Sequence, residues 1–125
     1  MTTTAAGTSS TLHAVTDASF ATDIAPGTGL VLLELTAAWC APCRLMAPVL
    51  HALAEEYQGR LRVVQTDADS NAATMTRLGI RGLPTMLLFR DGEVVERIVG
   101  AMHAPRLRER IDPYVTTSGN PASTR

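Results

Sequence analysis

Leu30-Val31-Leu32-Leu33-Glu34-Leu35, with Trp39-Cys40-Ala41-Pro42-Cys43-Arg44 close behind it, is the stretch that decides the fold. The first run is almost wholly apolar. A continuous run of that length suits a central strand covered on both faces, the kind a parallel sheet with helices on each side requires. The second run opens a long amphipathic segment. From Ala41 to Gln58, Leu45, Met46, Val49, Leu50, Leu53 and Tyr57 recur at offsets of three and four, and predict one apolar helical stripe. Arg44, His51, Glu55 and Gln58 are expected on the opposite, solvated face. Pro48 falls inside this helix and should kink it, and Gly59 should end it.

Working outward, strand and helix patterns alternate. Leu12 to Val15 reads as a short strand, and Thr16 to Ile24 as a short helix with Thr16 as N-cap. Leu61 to Thr66 is the next strand. Ser70 can cap a helix that runs to Leu78 and stops at Gly79. Thr85 to Phe89 and Val94 to Val99 flank Asp91-Gly92, a strong hairpin signal. Ala104 to Asp112 is a last helix, with Pro105 in its first turn. Asp112-Pro113 should shorten or bend it. The order βαβαβαββα implies an α/β fold. Its mixed central sheet would have about five strands, with helices on both faces.

With 125 residues, the chain has the length of a single domain. Residues 1–10 and 116–125 are Thr-, Ser-, Ala- and Gly-rich, and are expected to be mobile tails around a domain spanning 11–115. Eleven basic and twelve acidic side chains give a formal charge of −1. That balance argues against nucleic acid and against an anionic membrane surface. No apolar run has the length of a membrane span, and the first ten residues lack Lys and Arg, so the expected location is the cytoplasm. Two cysteines are too few for a disulfide scaffold.

The chemistry sits in Cys40-Ala41-Pro42-Cys43. Thiols in a C-x-x-C at a helix start lie within one turn, close enough for a disulfide. The unpaired N–H groups and positive dipole end there favour a thiolate. Cys40, first and expected to be the more exposed, would attack a substrate disulfide. Cys43, one turn deeper, would then resolve the mixed disulfide. C-x-x-C is also half a zinc site, but it would need two more ligands. His13, His51 and His103 are scattered without ligand spacing, so no metal is expected. Glu34 interrupts the apolar strand. It is either buried, and then costly unless protonated or paired, or turned to solvent at a strand end.

Together these motifs resemble the thioredoxin family. Trp39-Cys40-Ala41-Pro42-Cys43 resembles its Trp-Cys-Gly-Pro-Cys centre, and Ala47-Pro48 its helix proline. Gly79-Ile80-Arg81-Gly82-Leu83-Pro84-Thr85 resembles the loop that carries its cis-proline. Phe89-Arg90-Asp91-Gly92 resembles its hairpin, and Val99-Gly100-Ala101 its second substrate-facing loop. The likeness runs from about Leu12 to Val115.

The resemblance implies a thioredoxin fold, a cis Pro84 beside Cys40, and a redox-active Cys40–Cys43 disulfide with no bound cofactor. Trp39, Ala41, Pro42, Leu83, Pro84, Val99, Gly100 and Ala101 would form the substrate-binding rim, although Val99 and Ala101 also fit plain strand-end packing. Protein disulfides would be reduced, and a flavin-containing thioredoxin reductase drawing on NADPH would recharge a monomeric protein. The same site could instead donate or isomerise disulfides, or the fold could serve as a binding module without redox chemistry. The family's buried Asp falls at Glu34, which by likeness would take a proton from Cys43. The family's neighbouring Lys is here Gln65, so Glu34 should titrate above an exposed Glu. Thr36 stands in place of a second Trp, and Ala41 in place of Gly.

Overall fold

The computed structural model describes residues 12–119. The expected N-terminal tail, and the part of the C-terminal tail beyond 119, lie outside the described residues. The elements run β1 (His13–Ala14), α1 (Phe20–Asp23), β2 (Leu30–Thr36), α2 (Ala41–Glu56) and β3 (Arg62–Asp67). A 3₁₀ turn (Ala68–Ser70) leads to α3 (Ala72–Leu78), β4 (Thr85–Arg90), β5 (Glu93–Val99) and α4 (Ala104–Gly119). The order is the one expected, and the five strands form one mixed sheet in the order β1-β3-β2-β4-β5. β1, β3 and β2 are parallel, while β4 runs antiparallel to β2 and β5 antiparallel to β4.

β2 is central because both of its faces are apolar. Side chains on a strand alternate between faces. Leu30 and Leu32 join Met46, Leu50, Leu53, Leu107, Ile111 and Val115 in one core under α2 and α4. Val31, Leu33 and Leu35 join Val15, Phe20, Ile24, Val64 and Phe89 in a second core under α1 and α3. That alternation assigns Glu34 to the α2 side of the sheet, below the helix that begins at the cysteines.

The hairpin is tight. Asp91 and Gly92 both have positive φ (50° and 90°), the pattern of a type I′ turn. A Cβ on Gly92 would also sit 3.2 Å from the backbone of Ala25 and Pro26, so glycine is required there twice over.

Several boundaries differ from expectation. α1 begins at Phe20 and not at Thr16, because Thr16 closes a separate turn in which its hydroxyl accepts from the Ser19 N–H at 3.1 Å. α3 begins after Asn71. Ser70 ends the 3₁₀ turn, which is capped by the Asp67 carboxylate accepting from Ser70 N–H. α2 stops at Glu56, with Gly59 two residues past the Tyr57 C-cap. The last helix does not end at Asp112. It continues through Pro113 to Gly119, so residues 116–119 extend α4. Leu107, Ile111 and Val115 fall on one stripe and are buried, which offsets the backbone bond that Pro113 cannot make. Among the described residues, no helix is long and apolar enough to cross a membrane.

Candidate active site

The site forms where β2 hands over to α2. Cys40 is the N-cap of α2 in extended conformation, and Pro42 lies in the first helical turn, where its missing N–H costs nothing. The Cys43 N–H donates to Cys40 Sγ at 3.2 Å, so the leading sulfur takes the place of a capping oxygen at the positive helix end. Cys40 and Cys43 form a disulfide with their Cα atoms 5.3 Å apart. The expectation of an exposed leading thiol is not met in this oxidised form, where Cys40 is 4% and Cys43 3% exposed. The disulfide draws both sulfurs into a small apolar cluster with Ala37, against which Leu83 packs.

The remaining rim converges on this cluster. Leu83-Pro84 is cis, as the resemblance implied. Leu83 is half-buried and Pro84 buried. The Gly100 N–H donates to the Pro84 carbonyl at 2.7 Å, which ties the Val99-Gly100-Ala101 loop to the proline loop. Gly100 has a φ of 93°, a backbone that glycine adopts freely. Trp39, Ala41, Pro42, Val99 and Ala101 are exposed around the cysteines. Val99, at 67% exposure, is therefore not strand-end packing.

Glu34 lies in mid-sheet, beside Gln65 on β3 and Met86 on β4. It is 3% exposed, which excludes the solvent-facing alternative. Burial pushes its carboxyl up to about 7, and its Oε2 has no hydrogen-bond partner. Glu34 and Cys43 line one open cleft of about 440 Å³, together with Thr36, Ala47, His51 and Gln65.

Three features were missed from sequence. Asp69, in the 3₁₀ turn, accepts from the Trp39 indole N–H at 2.9 and 3.1 Å; nothing in the sequence pairs residues thirty positions apart. Arg44 donates to the Ala38 carbonyl at 2.7 Å and so braces the loop before Cys40. His51, expected on the solvated face, is half-buried in the cleft, whereas Leu45, expected in the core, is 72% exposed. Among the described residues, no group of three or more His, Cys, Asp or Glu is placed to hold a metal ion.

Comparison with known proteins agrees with this geometry. Residues 11–113 match the family model described as Thioredoxin. The chain is similar to Thioredoxin of Pseudomonas aeruginosa, with 44% identity over 101 residues, covering 81% of this chain and 94% of the relative. It is 37% identical over 102 residues to Thioredoxin of Porphyra purpurea, covering 82% and 95%. It is also 37% identical over 101 residues to Thioredoxin of a Synechocystis species, covering 81% and 94%.

Proposed function

The chain belongs to the thioredoxin family and is a thiol–disulfide oxidoreductase, and from that premise we propose how its residues divide the reduction of protein disulfides. Cys40, as thiolate, attacks one sulfur of a substrate disulfide. An S–S bond forms between Cys40 and the substrate, and the substrate's second sulfur leaves as a thiolate. Cys43 gives its proton to Glu34 and attacks Cys40 Sγ. The Cys40–Cys43 disulfide closes, and the substrate leaves with two electrons gained and both sulfurs reduced. No bound cofactor is needed, because the redox group is the disulfide itself.

The observation that carries this division is the Cys43 N–H on Cys40 Sγ at the start of α2. A thiolate at Cys40 gains that bond and the helix dipole, whereas a thiolate at Cys43 gains neither to the same degree. Glu34 supports the second half, being a carboxyl in Cys43's own cleft whose raised titration suits proton exchange near neutral pH. The exposed rim of Trp39, Ala41, Pro42, Val99 and Ala101, with Leu83-Pro84 beside it, offers shallow apolar contact to many extended substrate segments.

Disulfide-containing substrates and a thioredoxin reductase are the partners of this family generally. For this chain we take the reductase to be the flavin- and NADPH-dependent kind, the working state to be a monomer, and the compartment to be the reducing cytoplasm.

Replacing Cys43 by Ser tests the division. The variant should form a stable mixed disulfide with a substrate protein through Cys40, and multiple-turnover reduction should fall by about three orders of magnitude or more. Trapping through Cys43 by a Cys40→Ser variant, at equal yield, would reverse the assignment.

A further inference from the structure

α2 presents Cys43, Ala47 and His51 to the cleft at successive helical turns, above Glu34. The His51 Nδ1 lies 2.7 Å from the Ala47 carbonyl, which can only accept, so Nδ1 carries the proton and donates. In the neutral ring this leaves Nε2 as a bare acceptor. His51 Nε2 and Glu34 Oε2 are both buried side-chain polar atoms with no hydrogen-bond partner, and their residues line the same cleft. Two unpartnered groups in one cleft, one a carboxyl able to donate and one an imidazole nitrogen able to accept, are complementary. Ala47, between the other two on the helix stripe, leaves the space open, and about 440 Å³ holds several waters.

We infer that His51 Nε2 is the outer station of a proton path that starts at Glu34, with water in the cleft joining the two. The inference rests on the reading of Glu34 as the acceptor of the Cys43 proton. Cys43 and His51 are eight residues apart on one helix, about 12 Å along its axis, too far for direct transfer. The proton therefore moves from Cys43 Sγ to the Glu34 carboxylate, and from there through water to Nε2. The imidazolium keeps its Nδ1–H on Ala47 and passes the Nε2 proton to water in the cleft, which is open to solvent. No electrons move in this branch, and the path runs inward when the dithiol is regenerated.

The other charged groups facing the cleft are occupied. Arg44 donates to Ala38, and the Asp67 carboxylate accepts from the Ser70 N–H and hydroxyl at 3.1 and 2.5 Å. Gln65 does not titrate.

The test uses reduced protein and dithiobis(nitrobenzoate), whose thiolate is released once when Cys40 attacks and again when Cys43 resolves. In His51→Gln the second phase should slow about fivefold in dilute buffer. The first phase should be unchanged, and added imidazole should restore the second. His51→Ala, which leaves room for free imidazole, should behave the same way. In a Glu34→Gln background, His51→Gln should add nothing. A second phase unchanged in both His51 variants at every pH and buffer strength overturns the path. So does a slowing that no buffer rescues, since that marks a packing role. If Glu34→Gln slows the second phase while the His51 variants do not, the Glu34 reading stands and the path falls. If Glu34→Gln changes nothing, both fall.

Discussion

The two faces of β2 are built from one strand and behave as two materials. Toward α1 and α3, Val31, Leu33 and Leu35 are fully buried among apolar neighbours. Toward α2, Leu30 and Leu32 begin an equally apolar core, but the next position on that face is Glu34, followed by the cleft to Cys43. On the first face the sheet only has to exclude water. On the second, the apolar lining gives way to a carboxyl beside the cleft, and burial of that carboxyl gives it a titration suited to proton exchange. Burial contributes stability on one side and reactivity on the other.

Breaking the sealed face should have the larger effect. Leu33→Ala removes a fully buried side chain between two neighbouring strands and should cost about 3 to 4 kcal/mol. The loss should be the same at pH 4.5 and pH 8, since no titratable group belongs to that core cluster. Urea unfolding of the oxidised protein at both values checks this. A loss that varies strongly with pH would mean that the face communicates with Glu34.

Glu34→Gln should give the opposite signature. Below the ordinary carboxyl range, folded and unfolded chains both hold the Glu34 proton, and the group is neutral in stability. Between pH 4.5 and about 7 the unfolded chain loses that proton while the folded one keeps it, so stability falls as pH rises. Above pH 7 the deficit is complete, at up to about 3 kcal/mol for a shift of that size. The variant should lack this slope and overtake the parent protein near neutral pH. Parallel stability–pH curves for the two proteins would show that Glu34 titrates in the fold as it does in the unfolded chain.

Much of this contrast was legible in the sequence. An unbroken apolar run with a single carboxylate already separates a strand covered on both faces from a strand with a task. C-x-x-C before a helical stripe locates the thiols. Asp91-Gly92 located its turn because positive φ at both positions restricts the residue types. What escaped reading was what other elements contribute. A helical wheel gives His51 and Leu45 their angles, yet not that β2 and β3 line a cleft with one while the other stays exposed. Pro113 reads as a stop, and only the buried stripe from Leu107 to Val115 explains why the helix continues. Asp69 was invisible because its partner follows the neighbouring strand β2, which only the sheet order brings beside β3. The resemblance supplied the cis bond and the proline loop's neighbours, which spacing alone could not.

Asp69 also sharpens the comparison, since it belongs to neither face. Its carboxylate and the Trp39 indole are both exposed, so their hydrogen bond competes with water and Asp69→Ala should cost less than about 1 kcal/mol. Losing the bond frees the indole to sample several rotamers beside Cys40. Reordering that ring on substrate binding then costs about 0.5 kcal/mol or slightly more, or two- to threefold in kcat/KM. The change should enter through KM, because Asp69 acts by ordering the indole of the binding rim. Asp69→Asn keeps an acceptor oxygen and should recover most of the loss. Trp39 is the single tryptophan of the chain, so its fluorescence anisotropy reports the ring's freedom directly, and should drop in Asp69→Ala and recover in Asp69→Asn. A stability loss like that of Leu33→Ala would make Asp69 part of the sealed structure. A changed rate of resolution with KM intact would instead assign it to the cleft. The expected result, affinity altered while both stability and resolution hold, would give the rim a third character, ordered enough to bind and too exposed to support the fold.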